Sequence, residues 1–360
     1  MSEGWTPEED DLLMQDYLDA QKGAVLEIAD QGLISLSNLV ESGAIDVSPK
    51  FQRRDRWNAE KQSLLIESFL TNIPVPPVYL AEDVARLGSY AVIDGKQRLT
   101  AVSTFFADNL VLRGLDRLDR LNGRRYSSLP LSIRNSLSMK NLRTTTLLRQ
   151  SSEDLKHEVF LRLNTGGEIL NAQEIRNVAY RGPLNDLIFE LSESPFLREQ
   201  FKVIPPNSPA FRQMTDAEFV LRFFMLHAHW QTFRGDLRDE LDSYMARNRF
   251  ADEPELRKLR TTFNDCIEAA EAIWGSDSFK RPGRDQALAG MFDAQMVALA
   301  GVTASARRKL IKERVAVRSL SVHLFEDEEF EEAVRRATNT PNRVKYRVGR
   351  LLRVLREAGS

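Results

Sequence analysis

Residues 90–106, Tyr-Ala-Val-Ile-Asp-Gly-Lys-Gln-Arg-Leu-Thr-Ala-Val-Ser-Thr-Phe-Phe, constrain the fold more than any other stretch. Tyr90 to Ile93 is short, apolar and partly β-branched, as a buried strand is, while Leu99, Val102, Phe105 and Phe106 recur at helical spacing. The chain must therefore turn from strand to helix across Asp94-Gly95. Asp94, Lys96, Gln97, Arg98 and Thr100 fall on the turn and the first helical turns. A helix start presents unbonded N–H groups and the positive end of the peptide dipole, and a glycine there lets a ligand approach the backbone. With Lys96 and Arg98 adding charge, this geometry suits a phosphate.

At 360 residues the chain can form two domains of ordinary size, and 42% hydrophobic with 28% charged residues describes a globular protein. The formal net charge of -2 gives no global attraction to nucleic acid or membrane, so a nucleic-acid site must be a local patch. A single cysteine, Cys266, excludes an intramolecular disulfide and a cysteine-based zinc cluster. The acidic N-terminus lacks the order of a signal peptide, and no apolar run approaches membrane-spanning length. The expectation is a cytoplasmic protein without a membrane partner.

Along the chain, residues 1–30 read as acidic and helix-permissive, and Ile34 to Val40 as a short strand and turn, since Ser35 and Ser37 alternate with apolar residues. Asn58 is a candidate cap for a helix over Lys61 to Leu70, which the proline-rich run 73–77 ends. Strands are expected at Val78 to Ala81, Tyr90 to Ile93 and near Thr144 to Leu148, with a turn at Asn122-Gly123 and a short helix after Pro130. Asn171 with Glu174 has the form of a capping box. Beyond Gly182-Pro183 the pattern is almost wholly helical, with amphipathic segments at Leu184–Leu191, Ala217–Trp230, Glu255–Trp274, Asp285–Gly301, Ala304–Leu320 and Asn342–Glu357. The reading is α+β: a small mixed-sheet domain over 1–182 and an all-α domain over 183–360.

Each candidate site has a functional and a plain reading. The Asp94–Thr100 turn is either a phosphate cradle, with Asp94 binding a metal ion or orienting water, or a connection capped by Asp94 with solvated charges. Gln52 and Arg53 follow an extended segment and can reach the same cleft, whereas Phe51 and Trp57 read as core. Arg162 and Asn164, beside Gly166-Gly167, can form a second ligand-facing loop; Glu174 needs no role beyond its cap. His227 and His229 diverge around a helix and read as structural. Arg343, Arg347 and Arg350 share a helical face that can touch nucleic acid or be neutralised by the acidic run Glu326, Asp327, Glu328, Glu329, Glu331 and Glu332.

Three blocks in this order resemble the ParB-like N-terminal domain family of GmrSD-type restriction enzymes, found also in the SspE class of phage-defence proteins. They are Phe51-Gln52-Arg53 with Trp57; Asp94-Gly95-Lys96-Gln97-Arg98-Leu99-Thr100; and Phe160, Arg162, Asn164 and Gly167 with Glu174 and Arg176. Gly95, Arg98 and Ala101 also look like the Gly-x-x-Arg-x-x-Ala box of the wider ParB and sulfiredoxin-like fold. Lys96 stands where the family often has glutamine. The resemblance implies an N-terminal nucleotide-binding domain, NTP hydrolysis with Mg²⁺ coupled to DNA sensing, and service in anti-phage restriction.

On that basis Asp94, Gln97 and Arg98 are candidate catalytic residues, with Asp94 the metal ligand. Gly95, Lys96, Arg98, Thr100, Gln52, Arg53, Arg162 and Asn164 bind the nucleotide, and Arg343, Arg347 and Arg350 are candidate DNA contacts. Nuclease modules of the HNH type often accompany the family's domain, but His227, His229 and His323 lack the neighbours such a site requires. Cleavage is therefore expected from a separate nuclease or modification-system subunit, with homo-oligomers also compatible. The alternatives are a nucleotide- or DNA-binding switch that does not hydrolyse, and a metal-dependent nickase using Asp94 and Glu174.

Overall fold

The computed structural model describes residues 6–21, 25–47, 57–83, 86–151, 158–159, 162–163, 171–205 and 208–359. The chain divides into two compact units, Met1–Leu170 and Asn171–Ser360. It is α+β: a mixed five-stranded sheet in the first unit, followed by helices.

The strands are β1 (Leu26–Gly32), β2 (Ile45–Asp46), β3 (Val78–Glu82), β4 (Tyr90–Asp94) and β5 (Asn141–Leu147), in the order β1-β5-β3-β4-β2. β1 pairs antiparallel with β5, β5 parallel with β3, β3 antiparallel with β4, and β4 parallel with β2. The helices are α1 (Pro7–Gln21), α2 (Leu33–Glu41), α3 (Ala59–Leu70), α4 (Lys96–Phe106) and α5 (Leu131–Ser138). Leu33 and Leu36 of α2, Ile66 of α3, Val102 and Phe105 of α4 and Leu137 of α5 form one core with Val78, Leu80 and Val92 of the sheet. Asn58 caps α3, its side chain accepting from Lys61 N at 2.9 Å. The buried Glu67 accepts from the backbone N–H groups of Arg117 and Leu118 at 3.0 and 2.8 Å, which holds the loop after α4 against α3.

Two local expectations change. Residues 34–40 belong to α2, because Leu33, Leu36 and Ser37 are buried at helical spacing while the serine alternation is too short to impose a strand. Residues 26–32 form an edge strand that exposes Leu26 and Ile28, so no buried apolar alternation announces it. Strands β3, β4 and β5 lie where the sequence places them.

The second unit comprises α6 (Ala172–Ala179), α7 (Pro183–Ser192), α8 (Pro195–Gln200), α9 (Pro209–Arg212), α10 (Thr215–His229), α11 (Leu237–Asn248), α12 (Glu253–Trp274), α13 (Ala289–Ala300), α14 (Ala304–Lys312), α15 (Arg314–His323), α16 (Glu328–Arg335) and α17 (Pro341–Gly359). The segment 304–320, expected as one helix, is two, separated at Glu313. α13 is buried along nearly all its length, from Gly290 to Leu299. Gly290 carries it past α16, since a Cβ there would lie 2.6 Å from the Val334 carbonyl oxygen. Among the described residues no helix is long and apolar enough to cross a membrane.

Asp293 of α13 is the polar centre of this unit. Its carboxylate accepts two 2.6 Å hydrogen bonds from Arg222 of α10 and another from Arg347 of α17, and all three residues are buried. Arg347 also donates to the carbonyls of Ala333 and Thr338 at 3.0 and 2.6 Å. Burial alone would push the Asp293 carboxyl up, but the two guanidiniums hold it below the ordinary carboxylate range. A depressed native value means that this carboxylate's contribution is complete above the unfolded value of about 4 and is lost as pH falls through the native one. Asp293→Asn, which leaves two buried cations without a counter-charge, is expected to cost about 3–5 kcal/mol at pH 7. Urea unfolding followed by tryptophan fluorescence checks this, and the deficit against the wild type should shrink below about pH 4.

Candidate functional site

The sheet delivers Asp94 to the end of β4, opposite Tyr79, just beyond a register shift between Tyr79 and Leu80 of β3. Gly95 then takes a left-handed conformation, φ 94° and ψ 12°, and α4 starts at once. Two constraints select glycine here: the positive φ, and the closeness of β3, since a Cβ would lie 2.7 Å from Val78 Cγ2. Leu99 N donates to the Gly95 carbonyl at 3.0 Å, the first bond of the helix. No side chain caps this start. Asp94 is therefore not the N-cap that the plain reading of the turn assigns.

Asp94 instead pairs with Arg98, one helical turn on, at 2.5 Å. The Arg98 guanidinium also donates to the carbonyls of Pro76 and Pro77 at 2.8 and 2.9 Å. Its side chain is 12% exposed and that of Asp94 38%, so the arginine is largely enclosed while the carboxylate still meets solvent. Arg98 thus joins three segments: the end of β4, the first turn of α4 and the proline run before β3. The sequence offers the Asp94–Arg98 spacing but no signal for the two proline carbonyls, which are twenty-odd residues away.

Gln97 accepts from the backbone N–H of Trp57 at 3.1 Å, and Trp57 packs against the core of the unit. This bond attaches the entry to α3 beside the first turn of α4. Lys96 and Thr100, like Gln97, are half-buried, so all three retain some solvent access at the helix start. Gln52, Arg53 and Asn164 lie outside the described residues. Arg162 is exposed and pairs with Glu158, four residues earlier.

The third block divides. Asn171 and Glu174 form a reciprocal capping box for α6, with bonds of 2.9 and 2.8 Å, and Glu174 is buried. Arg176 is also buried, donating to Asp242 at 2.6 Å. Both act in the packing of the second unit. Among the described residues there is no group of three or more His, Cys, Asp and Glu side chains placed to hold a metal ion. His227 stacks on Phe223 with ring centroids 5.7 Å apart, and burial lowers its pKa, as expected of a packed histidine.

The arginines of the last helix correct the expectation of a basic nucleic-acid face. Arg347 is fully buried on Asp293, Arg343 pairs with Glu332 at 2.5 Å, and Arg350 reaches Asp327 at 3.4 Å. The acidic run upstream neutralises two of them, and the third has no surface to offer. Helical spacing put the three on one face; it could not show that Arg347 turns inward onto Asp293.

Gly95→Ala is expected to destabilise the first unit by about 2–4 kcal/mol through the positive φ and the Val78 contact together, measured by chemical unfolding. Arg98→Ala should cost about 2–3 kcal/mol by leaving Asp94 and two carbonyls without their donor, and Arg98→Lys should recover only part of it.

No curated protein gives a significant match to the chain. Residues 36–181 match the GmrSD restriction endonuclease, N-terminal domain. The match takes in β2 to β5, with the Gly95 turn near its middle, and leaves α1 and β1 outside. It ties the chain to restriction-type phage defence. Residues 36–181 are a GmrSD-type N-terminal domain.

Proposed function

We propose that the first unit binds and hydrolyses a nucleoside triphosphate and that this chain is the DNA-sensing component of a restriction system whose nuclease sits in a partner. The single observation that carries the reading is the start of α4: a left-handed glycine, no side-chain cap and Lys96 on the first turn, inside the domain that matches the restriction family. Backbone N–H groups at such a start, with a lysine ammonium beside them, complement a phosphate group.

The geometry changes the division of labour among the candidates. Arg98 donates to Asp94, Pro76 and Pro77, so it is a positioning residue rather than a phosphate ligand. It fixes one oxygen of Asp94, and the partly exposed carboxylate can accept a hydrogen bond from a water aligned on the terminal phosphorus. Lys96 and the α4 amides hold the phosphates, and Gln97 ties the Trp57 segment to the same helical turn. For Mg²⁺ the fit is partial: a nucleotide-borne ion takes most of its ligands from phosphates and water and needs only one or two carboxylates, which Asp94 can supply. When bound, it would neutralise phosphate charge.

Phosphate release from the purified chain, measured with ATP, GTP, CTP and UTP with and without duplex DNA, tests this reading. Lys96→Ala should remain folded and lose at least about tenfold in kcat/KM, the scale of one charge-assisted hydrogen bond. A folded Lys96→Ala protein with full turnover contradicts it. Binding without release in the wild type selects the non-hydrolysing switch.

A further inference from the structure

A cluster of basic residues in the second unit lies on α14 and its junction with α15, apart from the paired arginines Arg343, Arg347 and Arg350 of α17. Residues 304–318 hold Arg307, Arg308, Lys309, Lys312, Arg314 and Arg318 against a single acid, Glu313, in a chain whose formal net charge is -2. Two of these cations are used internally. Arg307 donates to the Leu299 and Val302 carbonyls at 3.1 and 3.2 Å and pairs with Asp265 at 2.9 Å, while Arg318 donates to the Ile273 carbonyl. Arg308, Lys309, Lys312 and Arg314 have no carboxylate partner among the described residues. In this they differ from Arg343, Arg347 and Arg350, each of which meets one.

The packing of α14 fixes where these charges point. Its Ala306 and Leu310 face α17, because a Cβ on Gly359 would lie 3.3 Å from Ala306 Cβ and 3.7 Å from Leu310 Cγ. Arg308 and Lys312, four residues apart, therefore stack on the opposite side, and both are exposed. Ser305 flanks them and Arg314 follows on the next helix, also exposed. Ile311 is half-buried on this side and Val315 beside Arg314 is exposed, but cations predominate on the face, and contacts to a phosphate backbone need only cations at helical spacing.

We infer that the outward face of α14, with Arg314, is a sequence-independent contact for the phosphate backbone of duplex DNA. The inference rests on the DNA-sensing half of the proposed function and is independent of its nucleotide half. Three such contacts, from Arg308, Lys312 and Arg314, imply a slope of log K against log salt of about -2.7.

Fluorescence anisotropy of a labelled duplex against the full-length chain, over a series of salt concentrations without nucleotide, tests it. The double variant Arg308→Glu/Lys312→Glu should bind about tenfold more weakly or worse and flatten the slope by about 1.8. Lys345→Glu, an exposed cation on α17, should change neither by a comparable amount. Because Arg308 and Lys312 are exposed and unpaired, the double variant should keep the wild-type melting temperature and nucleotide turnover. A double variant with wild-type affinity and slope overturns the inference, as does a wild type that binds no duplex, and neither result bears on NTP hydrolysis. Polyglutamate competing as well as duplex DNA at matched charge would overturn it in favour of an acidic protein partner.

Discussion

The contact between Gly95 and Val78 is the constraint from which the candidate site follows. The helix start sits so close to β3 that no side chain fits at residue 95, and the backbone there must be left-handed. That closeness brings the first turn of α4 beside the proline run preceding β3, within reach of an arginine side chain. Arg98 then bonds the Pro76 and Pro77 carbonyls and Asp94 together. The turn is rigid for two separate reasons, steric at the glycine and polar at the arginine. A phosphate cradle benefits from such rigidity, because donors that are already placed lose little freedom when a ligand arrives.

The second unit is organised by a different kind of contact. Asp293 lies on a helix that, Gln295 apart, is apolar, small-residue rich and almost wholly enclosed, and its charge is balanced by arginines from α10 and α17. A buried carboxylate between two guanidiniums adds little net stability over an apolar packing, but it fixes which helices come together, because any other pairing would strand a charge. Arg347 therefore serves helix assembly rather than a ligand. The same reasoning directs attention to α14, where Arg307 meets Asp265 but Arg308 and Lys312 face solvent.

How far the fold was legible in the sequence depended on whether the signal was local. Strands β3 and β4 announce themselves by short apolar runs between Pro and Gly, and the Asn171–Glu174 capping box and the Asn58 cap are where their side-chain chemistry puts them. Residues 34–40 misled because three alternating positions fit both periods, and only the burial of Leu33 and Leu36 on one helical face decides between them. β1 escaped notice because an edge strand with Leu26 and Ile28 exposed needs β5, more than a hundred residues later, to exist at all. At the site, the Asp-Gly turn was legible, but its polar wiring was not: Arg98 reads as a phosphate ligand until Pro76 and Pro77 are seen to accept from it. Likewise, the inward turn of Arg347 depends on Asp293, fifty-four residues upstream.

The central claim is that the first turn of α4 receives the phosphates of a nucleotide. Backbone amide chemical shifts report it directly, without any substitution. Titration of isotopically labelled protein with a non-hydrolysable nucleoside triphosphate and Mg²⁺ should move the amide resonances of Lys96, Gln97 and Arg98 saturably, with smaller changes at Trp57, which shares a hydrogen bond with Gln97. Saturable shifts confined to other parts of the chain, with these amides unmoved, would contradict the account.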